Sequence, residues 1–196
     1  MLVFARAPVP GAAKTRLIPR LGAWRAARLQ MRLTERALRT ALAGCAVVEL
    51  HAAPSVHHPY FRFLERKLRV AAVRQSGRDL GERMRNAFAT TLRRHAGVMI
   101  IGTDCPALTP RDLRRAARLL RGDCDAVLAP AEDGGYALIG LRKLRREMFE
   151  GIEWGGAHVL RDTLARTKGL RVKLLRTVWD VDRAEDLERL RSLRSF

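Results

Sequence analysis

The stretch GVMIIGTDCP, residues 97–106, decides the fold of this chain of 196 residues. Its first six residues are apolar or small and predict a buried strand, which ends just before Thr103 and Asp104. Pro106 then turns the chain away. Because a continuous apolar strand is typical of a parallel sheet covered on both faces, ligands are expected beyond its carboxyl end, where Asp104 lies.

Strand-like and helix-like segments alternate on either side of this strand. Apolar runs predict further strands at residues 3–6, 45–50, 70–73, 125–130, 136–141 and 170–175. Helical spacing of apolar residues predicts helices at 21–42 (with Trp24 in the core), 58–67, 79–95, from Pro110 onward, 156–167 and 183–194. The alternation predicts an α/β domain with a mainly parallel sheet between helical layers. Residues 1–196 contain no repeat or linker, so we expect a single domain.

The formal charge of +18 raises the question of nucleic-acid binding. Of the 38 basic residues 33 are arginines, and they are spread over almost every helix-like segment instead of forming one stripe. We therefore expect solvated helix faces and no specific nucleic-acid partner. No apolar run has the length of about 20 residues that a membrane span needs, and three cysteines without a CxxC pair indicate free thiols. We expect a cytoplasmic protein.

The loop PVPGAAKTR, residues 8–16, follows the first strand and carries two cations. It is not a Walker A loop, because Ala13 stands where that motif has the glycine before its lysine. Gly11 allows a ligand to approach the backbone, while Lys14 and Arg16 offer a point charge and a bidentate fork to a phosphate. The alternative is that both cations face water.

Asp104 and Asp182 are candidate metal ligands. A carboxylate at the end of a buried strand suits Mg²⁺ or Mn²⁺, which prefer oxygen ligands, but Asp104 could instead close a turn through its own backbone. Asp182, followed three residues later by Glu185, has the spacing of a capping box at the start of a helix. It becomes a metal ligand only if the fold brings it toward Asp104.

The segment EDGGY, residues 132–136, is a candidate substrate site between two predicted strands. The DGG sequence favours a hairpin turn. The same residues are compatible with binding, because the carboxylate of Asp133 can hold a substrate hydroxyl and the two glycines admit a ligand to the backbone.

Taken together and in order, these motifs resemble those of the GT-A-fold nucleotide-diphospho-sugar transferases. The similarity rests on the basic glycine loop, DLGERM at 79–84, GTDCP at 102–106, DGGY at 133–136, EGIEW at 150–154 and DVDRAEDL at 180–187. It is greatest to the bacterial rSAM/selenodomain-associated transferase branch, also labelled a glycosyltransferase of arsenosugar biosynthesis. A more distant similarity is to 2-phospho-lactate guanylyltransferase and molybdenum cofactor guanylyltransferase.

The resemblance implies a three-layer α/β/α GT-A fold with a mainly parallel, mixed sheet, and a cofactor that is Mg²⁺ or Mn²⁺. Asp104 and Asp133 would be catalytic, and Asp104 and Asp182 would hold the metal. The positions implied for the nucleotide and its phosphates are Ala5, Arg6, Gly11, Lys14, Arg16 and Gln75. The positions implied for the acceptor side are Gly134, Gly135, Tyr136 and Trp154.

Three functions are compatible with the sequence. The first is glycosyl transfer from a nucleotide-diphospho-sugar to a small acceptor, which releases a nucleoside diphosphate. The second is nucleotidyl transfer from a nucleoside triphosphate to a small phosphorylated acceptor, which releases pyrophosphate. The third, a non-catalytic nucleotide- or RNA-binding module, is favoured only by the charge.

Overall fold

The computed structural model describes residues 1–122 and 124–193. Within these residues, seven strands form one sheet: β1 (Leu2–Arg6), β2 (Glu49–Ala53), β3 (Ala71–Arg74), β4 (Val98–Ile101), β5 (Ala126–Pro130), β6 (Tyr136–Leu141) and β7 (Val172–Leu174). The strand order is β3-β2-β1-β4-β6-β5-β7. Strand β6 runs antiparallel to β4 and β5, and the other pairs are parallel. The predicted α/β fold with a mainly parallel, mixed sheet is confirmed.

The helices of this part of the chain lie between the strands, except for the last one, which follows β7. They are α1 (Ile18–Leu21), α2 (Ala23–Gly44), α3 (Pro59–Leu68), α4 (Leu80–Thr91), α5 (Pro110–Arg121), α6 (Val159–Ala165) and α7 (Asp186–Arg191), with short 3-10 helices at Thr15–Leu17 and Arg146–Phe149. None of the helices in the described ranges has the length and apolar character needed to cross a lipid bilayer.

Two apolar cores cover the two faces of the sheet. Alternate residues of β1 divide between them, because side chains alternate along a strand. Val3 and Ala5 join a core with residues of α2, α3 and α5, whereas Leu2 and Phe4 join a core with residues of α4 and the Arg146–Phe149 helix. This arrangement gives the three layers that the resemblance implied.

The structure corrects the bounds of β2. The predicted strand at 45–50 is shifted, because α2 continues to Gly44 and β2 begins only at Glu49. Pairing with β1 extends the strand beyond His51 to Ala53. His51 is tolerated in the core because its ring stacks on Phe4, with ring centroids 5.4 Å apart, and its Nε2 lies 3.1 Å from Glu49.

Several predicted helices are shorter than the sequence indicated, and one aromatic residue was placed wrongly. Within the described residues, the helices predicted at 79–95, 156–167 and 183–194 are confined to α4, α6 and α7. Residue 194, at the end of the last prediction, lies outside the described residues. Trp24 is 80% exposed and is not a core residue. The buried face of α2 begins after it, at Ala26 and Ala27, whose small side chains allow the helix to approach its neighbours.

Candidate functional site

Four loops meet at the carboxyl ends of the parallel strands. They are the segments that follow β1, β4 and β7 and the hairpin between β5 and β6, and each contains residues singled out in the sequence. Backbone hydrogen bonds join them: the amide of Val181 donates to the carbonyl of Asp104 (2.8 Å), and that of Glu132 donates to Val178 (3.1 Å). The fold therefore assembles one site from distant parts of the chain.

Lys14 lies at the junction of these loops. Its backbone is left-handed (φ 49°), a conformation that few residues other than glycine adopt. Its side chain is only 4% exposed, and its Nζ lies 2.8 Å from Asp104 Oδ1 and donates to the carbonyl of Val181 at 2.6 Å. The interpretation that Lys14 faces water is therefore wrong.

Asp104 is held from behind by a buried polar chain. Gln30 Nε2 on α2 donates to Thr103 Oγ1 (2.9 Å), and Thr103 Oγ1 donates to Asp104 Oδ1 (3.3 Å). Within the described residues, Oδ2 makes no hydrogen bond, and the side chain is about half exposed. One oxygen of Asp104 is thus fixed by the protein, and the other has no hydrogen-bond partner among the described residues.

Arg16 and Asp182 form a second ion pair, which joins the opening loop to the segment after β7. The capping-box interpretation of Asp182 is wrong, because α7 begins at Asp186 and its N-cap, Glu185, makes no side-chain cap. The carboxylate of Asp186 instead accepts hydrogen bonds from the amides of Asp182 (2.9 Å) and Arg183 (2.7 Å). The side chain of Asp182 is therefore available to Arg16.

A cavity of about 330 Å³ opens at this edge of the sheet. Asp104, Asp133 and Asp180 line it together with apolar residues. Burial, followed by repulsion from Asp133, raises the pKa of Asp180 to about 6. Sequence reasoning missed Asp180, although it stands two residues before Asp182 in the motif DVDRAEDL.

The residues predicted for the acceptor side largely reach this cavity. Gly135, Tyr136 and Trp154 line it, whereas Gly134 does not. Gly134 has φ 88°, and a Cβ built there would clash with the carbonyl of Ala157. Its place in the structure is therefore the close approach of the hairpin to the segment before α6.

Asp133 and Trp154 are each held by their neighbours. Asp133 Oδ1 accepts a hydrogen bond from the amide of Gly135 (2.9 Å), so the hairpin turn and a place on the cavity wall coexist. Trp154 packs on Gly81 of α4, where a Cβ would clash with the indole nitrogen. The glycine of DLGERM thus makes room for the aromatic wall of the cavity.

The remaining residues predicted for the nucleotide lie around β1. Gln75 Nε2 donates to the carbonyls of His51 (2.7 Å) and Ala5 (3.4 Å), and Arg6 is exposed at the end of the strand. Gly11 has φ 83°, and no atom lies within 4 Å of a Cβ built on it. Open space beside Gly11 is what close approach of a ligand to the backbone requires.

The carboxylate oxygens of the site are of the type that binds a hard cation. Carboxylate oxygens of Asp104, Asp133 and Asp180 surround one cavity, and Mg²⁺ and Mn²⁺ prefer such ligands. In residues 1–122 and 124–193, however, no three acidic, histidine or cysteine side chains are already arranged to hold a metal. Asp182 is engaged by Arg16, so Asp104 Oδ2 and Asp180 are the better placed candidates.

The side chains that line the cavity do not favour nucleophilic catalysis by histidine or cysteine. No histidine is among the described residues that line the cavity. Cys105 lines it, but burial and then the charge of Asp104 raise the pKa of its thiol well above the ordinary value. The thiol stays protonated near neutral pH and is a poor nucleophile.

The fold is that of nucleotide-diphospho-sugar transferase structures. Over its whole length the chain is similar to a crystal structure from Desulfovibrio desulfuricans G20, described as a nucleotide-diphospho-sugar transferase, with 31% identity, a TM-score of 0.89 and coverage of 88% of that chain. Residues 36–156 match DUF2064, described as an uncharacterized protein conserved in bacteria. The chain belongs to this family.

Other solved structures share the fold at low identity. A 4-diphosphocytidyl-2C-methyl-D-erythritol synthase from Anaerococcus prevotii DSM 20548 is 12% identical with a TM-score of 0.63, and the match covers 96% of this chain and 92% of that one. Rv0371c from Mycobacterium tuberculosis H37Rv, in complex with manganese, is 17% identical with a TM-score of 0.58, and 100% of this chain covers 98% of that one. No curated protein matches the sequence at a significant level.

Proposed function

We propose that this protein is a metal-dependent transferase that moves a glycosyl group from a nucleotide-diphospho-sugar to a small acceptor. One observation carries the proposal: both cations of the opening loop pair with carboxylates, and one of these carboxylates, Asp104, lines the 330 Å³ cavity. The groups that we propose for the phosphates and for the metal are thus adjacent, as transfer from a diphosphate requires. The similarity to the Desulfovibrio desulfuricans structure supports the same proposed function.

The opening loop supplies the phosphate site. Arg16 is about two-thirds exposed, so its guanidinium can turn from Asp182 to a diphosphate at little cost in burial. Lys14 adds a fixed positive charge beside Asp104, and Gly11 leaves the backbone open to the ligand. Within this proposal, Ala5, Arg6 and Gln75 form the adjoining part of the nucleotide site.

Asp104, through Oδ2, and Asp180 are the residues we assign to the metal, with Asp182 available once Arg16 has turned away. Mg²⁺ or Mn²⁺ held there would neutralise charge on the leaving diphosphate. The hydrogen bonds from Lys14 and Thr103 to Oδ1 keep the carboxylate in one orientation. They leave Oδ2 for the metal in this proposal.

Asp133 positions the acceptor in this scheme. Its Oδ1 is held by Gly135, which leaves Oδ2 to accept a hydrogen bond from an acceptor hydroxyl. The hydroxyl oxygen forms a bond to the anomeric carbon as the bond from that carbon to the diphosphate oxygen breaks. The acceptor proton passes to Asp133 and then to solvent, and nucleoside diphosphate leaves.

Binding and product analysis test the proposal. Calorimetry with UDP, GDP, CDP and ADP, each with and without Mn²⁺, should show at least one nucleotide whose binding depends on the metal. Incubation with the matching nucleotide-sugars should release nucleoside diphosphate. Absence of binding by every nucleotide would refute the proposal, and release of pyrophosphate from a nucleoside triphosphate would establish nucleotidyl transfer instead.

A further inference from the structure

We infer that the acceptor entering the 330 Å³ cavity is a small, uncharged, hydroxyl-bearing molecule with an apolar face, and not a phosphorylated one. The inference rests on the proposed function for the identity of the cavity as the acceptor site. It goes further in naming the chemistry of the acceptor, which the fold leaves open. Three features of the cavity carry it: its charge, its walls and its size.

The charge of the cavity contrasts with that of the whole chain. Lysine and arginine make up 38 of 196 residues, yet none of the described residues that line the cavity is lysine, arginine or histidine. Three aspartates line it instead, at positions 104, 133 and 180. Without a metal, this lining disfavours anionic ligands, because like charges brought together repel each other. The charge of a metal on Asp104 and Asp180 would be taken up by those carboxylates and by the donor diphosphate, so the acceptor would still meet the carboxylate of Asp133 and no free cation.

The two cations of the opening loop are already engaged. Lys14 is bonded to Asp104 and to the carbonyl of Val181, and its side chain is almost completely buried. Arg16 contacts Asp182, outside the cavity lining. These two cations belong to the opening loop, where the donor diphosphate is proposed to lie. A second phosphate, on the acceptor, would find no partner of its own.

The walls of the cavity are apolar and partly aromatic. Phe4, Leu80, Met84, Tyr136, Trp154 and Val159 contribute to them. Trp154 is fixed against Gly81, so its indole offers a preformed surface to a ring or an alkyl group. An ionised carboxylate only accepts hydrogen bonds. A ligand that satisfies Asp133 while packing on Trp154 therefore needs a donor, such as a hydroxyl, beside an apolar face.

The size of the cavity limits the acceptor. Its volume of about 330 Å³ is near the lower end of the range of roughly 300–1,000 Å³ found for small-molecule sites. A monosaccharide or an aryl alcohol fits this volume, whereas a polymer would have to extend beyond the cavity.

A matched pair of probes tests the inference. Phenyl β-D-glucopyranoside and its 6-phosphate share an apolar ring and hydroxyl groups and differ by one phosphate. Their dissociation constants are measured by ligand-observed NMR on the wild-type protein, with and without Mn²⁺. We expect the neutral probe to bind at millimolar concentration and the phosphorylated probe to bind at least about tenfold more weakly.

Two leucine variants assign the binding to this cavity. Leu80 lines the cavity and is 43% exposed, so Leu80→Lys adds a cation at the wall without disturbing the core. It should shift the ratio of the two dissociation constants at least about threefold toward the phosphorylated probe. Leu42, on α2 and 40% exposed, lies outside the cavity lining, and Leu42→Lys should leave the ratio unchanged.

The outcomes separate this inference from the proposed function. Equal or tighter binding of the phosphorylated probe to the wild type, failure of the neutral probe to bind, or equal effects of the two leucine variants would overturn the inference. Metal-dependent nucleotide binding in the same preparation would show that the proposed function survives. Failure of all nucleotides, together with the expected probe behaviour, would overturn the proposed function and leave the chemistry of the cavity established.

Discussion

Asp104→Asn should destabilise the protein as well as remove a metal ligand. The side chain of Lys14 is 4% exposed and that of Asp104 is 51% exposed, so their ion pair is intermediate in burial between an interior pair and a surface pair. A charge-assisted hydrogen bond is worth about 1.5–3 kcal/mol and an exposed pair about 0–1 kcal/mol. Because asparagine still accepts a hydrogen bond from the ammonium, we expect a loss of about 1–2 kcal/mol, which lowers Tm by about 3–6 °C.

The second half of this prediction concerns Lys14→Met, which should destabilise the wild type but stabilise the Asp104→Asn protein. In the Asp104→Asn protein, Lys14 is a buried charge without its carboxylate, and removing one partner of such a pair costs more than removing both. Adding Lys14→Met should therefore restore part of the lost stability. Thermal unfolding of the two single variants and the double variant measures the coupling. A double variant as unstable as the sum of the singles would refute the idea that Asp104 compensates the buried ammonium.

The same variants test the metal. Wild type with Mn²⁺ and a bound nucleoside diphosphate at 100 times its Kd gains about 2.7 kcal/mol of stability. Asp104→Asn should lose the part of this gain that depends on Mn²⁺. If Asp104 only closed a turn, asparagine would serve equally well, since it makes the same backbone contacts. Equal metal-dependent stabilisation of both proteins would contradict the assigned ligand.

Three further predictions follow from single contacts. Arg16→Met should weaken nucleoside diphosphate binding at least about tenfold by calorimetry, through loss of a charge-assisted contact, whereas Arg20→Met, in the neighbouring helix, should not. Gly134→Ala should cost about 2–4 kcal/mol in urea unfolding, because it combines a positive φ with a clash; Gly11→Ala, with φ 83° but open space, should cost only about 1 kcal/mol. Burial lowers the pKa of His51 below 6.5, so the unfolded chain binds this proton more readily than the folded protein. The contribution of neutral His51 is therefore full above about pH 6.5 and is lost as the pH falls below that value. His51→Gln should lose less stability than wild type between about pH 7.5 and 5.5; a parallel loss in both proteins would contradict this.

The sequence by itself determined the layers of the fold and the edge of the sheet that carries the site. Apolar runs of strand length and helical periodicity are local properties, so they can be read without knowing which segments touch. Because ligands of such sheets bind beyond the carboxyl ends of the strands, Asp104 at the end of β4 could be singled out before any contact was known. The hairpin around Asp133 was legible for the same reason, since turn chemistry depends on consecutive residues.

Only the tertiary structure decided which charges meet. Contacts between loops that are far apart in sequence bury Lys14 against Asp104 and pair Arg16 with Asp182. Similar contacts bring Asp180 to the cavity. The sequence marked each of these loops as charged but contained no local signal for their pairing. Trp24 was wrongly predicted to lie in the core for the same reason: helical periodicity shows that a helix has an apolar face, but packing against the sheet determines where along the helix burial begins.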